Sequence, residues 1–295
     1  MGRREYKDLH EHLELLEQKG LLIRVTREIN KDTELHPLVR WQYRGGIAEE
    51  ERKAFLFENV TDAKDKKYDI PVVVGALAAN PTIYCTGIGY EREELGEVWR
   101  KALETPVSPV IVDQGPVQEV VVMGDALNKE GNGTDRIPVP ISSPGFDNAP
   151  YTTCSHWVTK DIDTGIPNVG NYRGQIKGRR RVGVFPSGLG QDIMIHWEKC
   201  KERGIPLESA LVIGAPPVVS YASVQKVPYG VNELAIAGAL AGDPVRVVRC
   251  KTVNIEVPAD AEIVLEGKIS TEFLEPEGPF GESHGYMHPR QFNPY

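Results

Sequence analysis

The chain has 295 residues, of which 40% are hydrophobic and 26% are charged, and its formal net charge is −8 at pH 7. This composition is typical of a globular protein and excludes fibrous and disordered classes. The acidic balance argues against a nucleic-acid-binding surface, which usually carries a basic excess. Cys85, Cys154, Cys200 and Cys250 lie far apart without a C-x-x-C pair, so we expect free thiols and no thiolate zinc site.

No apolar run approaches the roughly 20 residues that span a bilayer, and the start M-G-R-R-E-Y opens a charged amphipathic stretch instead of a signal peptide. We therefore predict a cytoplasmic protein that handles small molecules, with no membrane and no nucleic acid as partner. The absence of a Walker A loop and of a G-x-G-x-x-G motif after a strand gives nucleotide-binding folds little support.

The first part of the chain mixes helices with short strands. Residues 4–19 place apolar side chains at helical spacing and Gly20 follows as a stop, which predicts an amphipathic helix. Strands are predicted at 21–25, in A-F-L-F-E-N-V and at 71–75, and a helix at 90–104. We predict an N-terminal α/β domain over 1–115.

Beyond residue 115 the composition becomes strand-rich, with β-branched runs such as Q-E-V-V-V-M and V-R-V-V-R-C-K-T-V-N-I-E-V. Y-R-G-Q-I-K-G-R-R-R-V-G-V-F predicts two strands joined by a turn at Gly178. Helices are predicted at 193–203 and from about Asn232, where small residues favour close packing. The fold class is therefore α+β, with a barrel or closed sheet over 116–295.

Two of the polar stretches leave their role open. In N-V-G-N-Y-R a turn leads into a strand that starts at Arg173, which is either a surface arginine or the bidentate partner of a carboxylate. Glu233 lies in the first turn of the helix near Asn232. It either favours the helix dipole or binds a hard cation together with an amide oxygen such as that of Asn168.

The third polar stretch is the loop E-G-P-F-G-E, which carries Glu277 and Glu282 on a backbone that glycine and proline keep out of helix and strand. Two carboxylates beside one arginine titrate as a coupled group and leave one acid able to hold a proton near neutral pH, as a proton donor requires. The alternative is a pair of solvated loop acids, the role expected for Glu272 and Glu275. Two histidines just beyond the loop are candidates for the border of a pocket: His284 and His288.

The chain resembles the UbiD-like decarboxylases that use prenylated flavin mononucleotide (FMN) in four stretches that occur in the same order: N-V-G-N-Y-R, V-P-Y-G-V-N-E-L-A-I-A-G-A-L-A-G, V-P-A-D-A-E-I-V-L-E-G and E-G-P-F-G-E-S-H-G-Y. The resemblance covers nearly the whole chain. It implies an N-terminal α/β domain, a flavin-binding split β-barrel, and reversible decarboxylation at an unsaturated or aromatic carbon. Loss of CO₂ from such a carbon leaves a carbanion, so an organic cofactor has to accept the electrons.

By this resemblance Glu282 is the proton donor, and Arg173 and Glu277 complete a Glu-Arg-Glu network around the substrate carboxylate. A divalent metal, Mn²⁺ or Mg²⁺, bridges the flavin phosphate to Asn168 and Glu233. The third family ligand is normally a histidine, and Gln191 stands at that position here. A neutral amide is a weaker donor than imidazole for a transition metal. The resemblance also assigns flavin, phosphate or K⁺ contacts to four further residues: Asn171, Tyr172, Ala222 and Ser223.

The resemblance also implies partners: a small aryl or unsaturated acid as substrate, a flavin prenyltransferase as cofactor supplier, and assembly as a homo-oligomer or a heteromeric subunit. Family members usually continue into a C-terminal domain, so either the chain is truncated, another subunit supplies that part, or the protein no longer catalyses. Two rival functions remain: a flavin-binding subunit without turnover, and flavin reductase chemistry, which predicts NAD(P)H oxidation.

Overall fold

A mixed sheet forms the N-terminal part of the computed structural model, which describes residues 4–186, 188, 190–282 and 285–295. Its central strand pairs in parallel with β1 and antiparallel with two short strands. The strands are β1 (Leu22–Asn30), the central β2 (Ala54–Thr61), β3 (Lys67–Tyr68) and β4 (Val72–Val74). The helices around them are α1 (Leu9–Gln18), α2 (Leu35–Arg44), α3 (Pro81–Ile88) and α4 (Leu95–Glu104).

The predicted N-terminal elements are all present, but α1 is shorter than the predicted helix. It begins at Leu9 because Asp8 caps it: the Asp8 side chain accepts a hydrogen bond of 3.0 Å from Glu11 N. The predicted helix at 90–104 starts with a 3₁₀ turn at Arg92–Glu94 before α4. The cap thus sets the helix start, whereas hydrophobic spacing alone extends it too far.

The second part of the chain is rich in antiparallel sheet. A four-stranded sheet has the order β14-β11-β7-β8, and the three-stranded sheets have the orders β10-β9-β6 and β13-β12-β5. The strands are β5 (Val110–Ile111), β6 (Tyr151–Thr152), β7 (Ser155–Lys160), β8 (Pro167–Asn171), β9 (Arg173–Gly178), β10 (Arg181–Phe185), β11 (Leu207–Ile213), β12 (Arg246–Arg249), β13 (Glu256–Pro258) and β14 (Ile263–Ile269). Four short strands form two further pairs, β15 (Glu275–Glu277) with β18 (Gln291–Asn293) and β16 (Phe280–Gly281) with β17 (Met287–His288).

Three helices cover these sheets: α5 (Asp192–Glu202), α6 (Pro217–Ser223) and α7 (Glu233–Ala241). Every residue of α6, and every residue of α7 except Ala239, is buried. Because their side chains are mostly small, both helices pack into one apolar core with β7, β8 and β11. The predicted helices at 193–203 and near Asn232 and the predicted β9–β10 hairpin are confirmed.

One predicted strand is wrong. Only Gln118 of Q-E-V-V-V-M lies in regular structure, as the last residue of a 3₁₀ turn at Pro116–Gln118, and the rest is irregular backbone in which Val120 and Met123 are 69% and 49% exposed. A β-branched run forms a strand only where a neighbouring strand pairs with it, and none of the described strands does so here.

The α+β class, with an N-terminal α/β region followed by a sheet-rich region, is confirmed. The domain boundary near residue 115 stays a prediction. No helix in the described ranges combines the length and apolarity that crossing a bilayer requires.

Candidate active site

The expectation that E-G-P-F-G-E stays out of strand is wrong, because Glu277 is the last residue of β15 and Glu282 directly follows β16. Gly278 has a φ of +86°, a left-handed conformation that favours glycine, and a Cβ there would lie 3.0 Å from Pro289 O. The Gly278 amide donates to Tyr151 Oη at 3.0 Å, and Asn148 Nδ2 donates to Gly278 O at 2.8 Å. Three residues after Gly278, the Gly281 amide donates to Asp147 Oδ1 at 2.6 Å. The segment before β6 therefore fixes both ends of the loop.

Arg173, at the first position of β9, lies between the two glutamates. Its Nε and Nη2 donate to the two oxygens of Glu277 at 2.9 and 3.0 Å, and its Nη1 donates to Glu282 Oε1 at 2.9 Å. The pairing with Glu277 is bidentate, the geometry that a planar guanidinium favours. The structure thus joins Arg173 to Glu277 and Glu282, which lie 104 and 109 positions later in the sequence.

The three side chains differ in their access to solvent. The side chains of Arg173 and Glu277 are 7% and 1% exposed, whereas that of Glu282 is 27% exposed. Both side chains of the Arg173–Glu277 pair are buried. Arg173 is therefore not a surface arginine, and Glu277 is not a solvated loop acid. Of the two carboxylates, that of Glu282 is therefore the more accessible to a ligand.

Aromatic rings surround the guanidinium of Arg173. Its central carbon lies 3.8 Å from the ring centroid of Phe185, 4.5 Å from that of Phe280 and 6.0 Å from that of Tyr151. These rings exclude water and attract the cation through their faces. Burial, followed by the charge of Glu277, raises the pKa of Tyr151, so its hydroxyl stays protonated and available to the loop.

A second polar cluster lies at the edge strand β8. Glu233 is the first residue of α7 and is buried, and its Oε2 accepts a hydrogen bond of 2.9 Å from Val169 N. The cap of α7 is Asn232, whose side chain accepts from Leu234 N at 2.9 Å. The Glu233 carboxylate therefore reaches across to β8, where it satisfies an edge-strand amide instead of capping its own helix.

Burial raises the pKa of Glu233 to about 7, and the charge of Asp192 adds to this shift. Asn168, also on β8, is 5% exposed, and its Nδ2 has no hydrogen-bond partner among the described residues. Burial raises the pKa of Tyr172 to about 12, and the charges of Asp192 and Glu233 contribute. These groups form an acidic cluster in which a buried carboxylate lies beside a buried amide, and within the described ranges no group of three or more histidine, cysteine, aspartate or glutamate side chains is arranged to hold a metal ion.

The remaining predicted site residues lie on the elements around this cluster. Gln191 is the half-buried cap residue of α5, and its backbone oxygen accepts from Met194 N at 2.9 Å. Ala222 and Ser223 are buried at the end of α6, where His156 Nδ1 lies 3.0 Å from Ser223 Oγ. In the amide orientation that satisfies its neighbours, Asn171 donates to Ser155 O at 2.7 Å.

Tyr172 connects β8 to β9 and is buried. Gly170 has to be glycine here, because a Cβ at this position would overlap the Tyr172 ring. Trp157 Nε1 donates to Tyr172 O at 3.0 Å and fixes the backbone immediately before Arg173. The short connection from β8 to β9 therefore links the acidic cluster around Glu233 to the Arg173 network.

Several residues at these sites were not identified from the sequence. Phe280 lies inside the E-G-P-F-G-E motif, and Asp192 directly follows Gln191, so proximity to motif residues was the available signal. Phe185, Tyr151 and Asn148 carried no comparable signal, since their contacts depend on distant segments. His288 Nε2 lies 3.5 Å from Glu282 Oε1, as a residue at the border of the loop, whereas His284 falls outside the described residues.

Two open grooves of about 590 and 550 Å³ lie on another part of the surface. Both are bordered by Lys7, and the first is also lined by Arg246 and Lys251. None of the predicted site residues lines either groove. The candidate site is thus defined by its two side-chain clusters, and the grooves are unrelated to it.

Two family models match nearly the whole chain. The 3-octaprenyl-4-hydroxybenzoate carboxy-lyase N-terminal domain matches residues 13–103, and the Rift-related domain of the same carboxy-lyase matches residues 110–295. The chain belongs to the UbiD family. The resemblance inferred from the motifs is therefore confirmed.

Solved structures of UbiD-class enzymes have the same fold. HmfF from Pelotomaculum thermopropionicum in complex with FMN is 35% identical with a TM-score of 0.85, and the match covers 98% of this chain and 60% of HmfF. The closed form of vanillic acid decarboxylase from Sedimentibacter hydroxybenzoicus is 30% identical with a TM-score of 0.86, with the same two coverages. An evolved dimeric form of HmfF in complex with prenylated FMN is 34% identical.

Among curated proteins, an uncharacterized protein of Synechocystis sp. is 31% identical over 304 residues, which cover 95% of this chain and 57% of that protein. An uncharacterized protein of Aquifex aeolicus is 33% identical over 310 residues, which cover 97% of this chain and 60% of that protein. The chain thus spans about three fifths of the length of the relatives it matches.

Proposed function

We propose that this protein catalyses the reversible, non-oxidative decarboxylation of an aromatic or α,β-unsaturated carboxylic acid with prenylated FMN, and that Glu282 is the proton donor. The observation that carries the proposal is the position of Glu282 at the open end of a buried Arg173–Glu277 ion pair. Relatives that carry FMN or prenylated FMN support a flavin cofactor.

Each residue of the network has a distinct role in this proposal. Glu277 neutralises most of the charge of Arg173 and fixes the guanidinium, so that Nη1 points at Glu282. A substrate carboxylate that arrives beside Glu282 adds a like charge and favours the protonated form of this acid. Glu282 then holds one proton next to the carbon that loses CO₂ and delivers it there.

The cofactor supplies, when bound, the electron sink that the carbanion needs. Asn168, Glu233 and Gln191 would hold its phosphate through Mn²⁺ or Mg²⁺. The oxygen atoms of this set suit such a cation, because Glu233 is a buried carboxylate and Asn168 a buried amide on the neighbouring strand β8. Ala222 and Ser223 would contribute phosphate or K⁺ contacts, and Asn171 and Tyr172 would border the flavin.

The proposed partners follow from the same assignment. A flavin prenyltransferase would supply the cofactor, and further copies or another subunit would complete the assembly in the cytoplasm. The second candidate function is a flavin-binding subunit that needs a partner for turnover. It is favoured by Gln191, which offers a neutral amide where imidazole would bind a transition metal more strongly.

The test begins with native mass spectrometry of the purified protein, which identifies any bound flavin and metal. The protein is then supplied with prenylated FMN and Mn²⁺ and assayed for CO₂ release from vanillic, benzoic and cinnamic acids. We expect Glu282→Gln to lower the rate by about 10² or more, because the amide keeps the contact with Arg173 but has no acidic proton. Glu272→Gln, an exposed loop acid, is the matched control.

Unchanged turnover in Glu282→Gln contradicts the assignment of the donor. Bound flavin with activity only after a partner is added favours the subunit function over the stand-alone enzyme. NAD(P)H oxidation without CO₂ release identifies flavin reductase chemistry instead.

A further inference from the structure

His288 lies beside the proposed proton donor on the adjacent strand. In the β16–β17 pair His288 stands opposite Phe280, two residues before Glu282. Its Nε2 lies 3.5 Å from Glu282 Oε1, the same oxygen that accepts from Arg173 Nη1. Its ring packs against Phe185 with centroids 5.5 Å apart, and Phe185 also covers the Arg173 guanidinium. The imidazole is thus held by the same aromatic ring that covers the ion-pair network.

Solvent reaches His288 more readily than the rest of the network. Its side chain is 38% exposed, compared with 27% for Glu282 and 1% for Glu277. A donor that gives up one proton per turnover has to regain it from a group that solvent reaches. Imidazole is the side chain whose ordinary titration range allows it to donate and regain a proton near neutral pH.

We propose that His288 relays protons between solvent and Glu282. The inference rests on the proposed function, since it requires Glu282 to be the donor. After Glu282 has given its proton to the substrate carbon, the imidazolium of His288 donates its Nε2 proton to the Glu282 carboxylate. The neutral imidazole then regains a proton from water or a buffer acid. One solvent proton therefore replaces each CO₂ released, and no electrons change hands.

Among the charged groups that the structure describes around this strand pair, none offers an alternative to His288. A guanidinium such as that of Arg173 does not relay protons, and Glu277 is enclosed behind it. Asp147 accepts from the backbone amides of Gly281 and Ser143, which occupies its two oxygens. Arg44 Nη2 lies 3.8 Å from the position that a Cβ would take at Gly285, and a guanidinium does not exchange its proton near neutral pH.

The test uses the protein loaded with prenylated FMN and Mn²⁺ and compares His288→Ala and His288→Asn with the wild type on the acid that turns over. We expect both variants to lower kcat by about 10² with little change in KM, because neither side chain relays protons. Added imidazole restores His288→Ala, with a rate that follows the acidity of a series of substituted imidazoles. His10→Ala is the matched control, since His10 also pairs with a glutamate, Glu262, at 3.1 Å.

A readout that does not depend on activity examines the contact itself. In the ¹⁵N-histidine NMR spectrum of the cofactor-free protein, Glu282→Gln should shift the His288 Nε2 signal, and Glu272→Gln should not. Two outcomes overturn the relay and leave the proposed function intact. One is full activity in His288→Ala. The other is a loss of activity in His288→Ala that is absent from His288→Asn and that added imidazole does not restore. No turnover in the wild type on any of the three acids, with or without added partner, removes both proposals.

Discussion

Arg173 and Glu277 form a bidentate ion pair, with Nε–Oε1 at 2.9 Å and Nη2–Oε2 at 3.0 Å, in a place where their side chains are 7% and 1% exposed. Two charges removed from water in this way are costly unless their geometry is nearly ideal. Asn293 Nδ2, 3.4 Å from Glu277 Oε2, adds a further donor to the buried carboxylate. The network is therefore built to hold one guanidinium in a fixed orientation towards Glu282.

We expect Glu277→Gln to lower the free energy of unfolding by about 3 kcal/mol, because it leaves a buried guanidinium without its main counter-charge. Urea unfolding monitored by circular dichroism measures the change. The control is Glu104→Gln, which breaks an exposed pair with Arg100, where the side chains are 57% and 54% exposed. That variant should lose much less stability, because water and salt screen the exposed pair. Equal losses in the two variants would show that burial of the Arg173 pair does not matter for stability.

Gly278→Ala should destabilise the protein by about 1–3 kcal/mol, because its φ of +86° is unfavourable for a residue with a side chain and the new Cβ would lie 3.0 Å from Pro289 O. The same urea titration applies. Gly267→Ala is the control, since this glycine on β14 has an ordinary φ and no atom within 4 Å of an added Cβ. A Gly278→Ala variant as stable as the Gly267→Ala variant would contradict the strained turn.

Mn²⁺ should raise the melting temperature of the cofactor-free protein, because a cation that binds only the folded state stabilises it by about 2.7 kcal/mol at 100 times its Kd. Glu233→Gln removes the carboxylate and should abolish this shift. Glu97→Gln, which changes a glutamate in the first turn of the exposed helix α4, should retain it. Differential scanning fluorimetry measures both.

The same assay tests Gln191, which stands where the family normally has a histidine ligand. Gln191→His should increase the Mn²⁺-induced shift relative to the Mg²⁺-induced shift, because imidazole is a stronger donor for a transition metal than an amide oxygen. Identical responses to both metals in this variant would place Gln191 outside the cation site.

His12 should make the protein less stable in mild acid. Its ring is 0% exposed, Nε2 lies 2.8 Å from Ala76 O, and Nδ1 has no partner among the described residues. Burial lowers the pKa of His12 from 6.5, so the unfolded state binds more protons as the pH falls through 6.5. The free energy of unfolding then decreases by up to about 1.4 kcal/mol per pH unit until the lower folded pKa is passed.

Urea unfolding at several pH values between 7.5 and 5 measures this dependence. His12→Gln should make it less steep, because glutamine offers a hydrogen bond to Ala76 O without titrating, whereas His36, His156 and His196, whose pKa values burial also lowers, keep the rest of the dependence. His10→Gln, at an exposed position, should leave the dependence as in the wild type. A His12→Gln variant with the wild-type pH dependence would assign the acid sensitivity to other buried groups.

Local sequence was sufficient for elements whose signals lie within a few residues. The turn between β9 and β10 and the start of α7 after Asn232 follow from residues that contact each other along the chain. The strand predicted for Q-E-V-V-V-M is absent for the opposite reason. A β-branched run forms a strand only when a distant strand pairs with it, and none of the described strands pairs with this one.

Glu233 shows why the candidate site could be predicted only in part. The sequence predicted its position in the first turn of a helix. Its role depends on a hydrogen bond from Val169 N, which lies 64 residues earlier in the chain. Phe185 had no local signal, because it reaches Arg173 only when β10 pairs with β9, whereas Phe280 was marked only by its place in the E-G-P-F-G-E motif.

The amino-acid order by itself determined the family motifs, the α+β alternation and the identity of the groups that titrate or donate. Only the tertiary structure decided which of them share a low-dielectric environment, and that decides their chemistry, because charge interactions grow as water is excluded. The separation of 104 positions between Arg173 and Glu277 is irrelevant once both side chains are buried together, and a separation of only five positions between Glu277 and Glu282 leaves one acid enclosed and the other open to solvent.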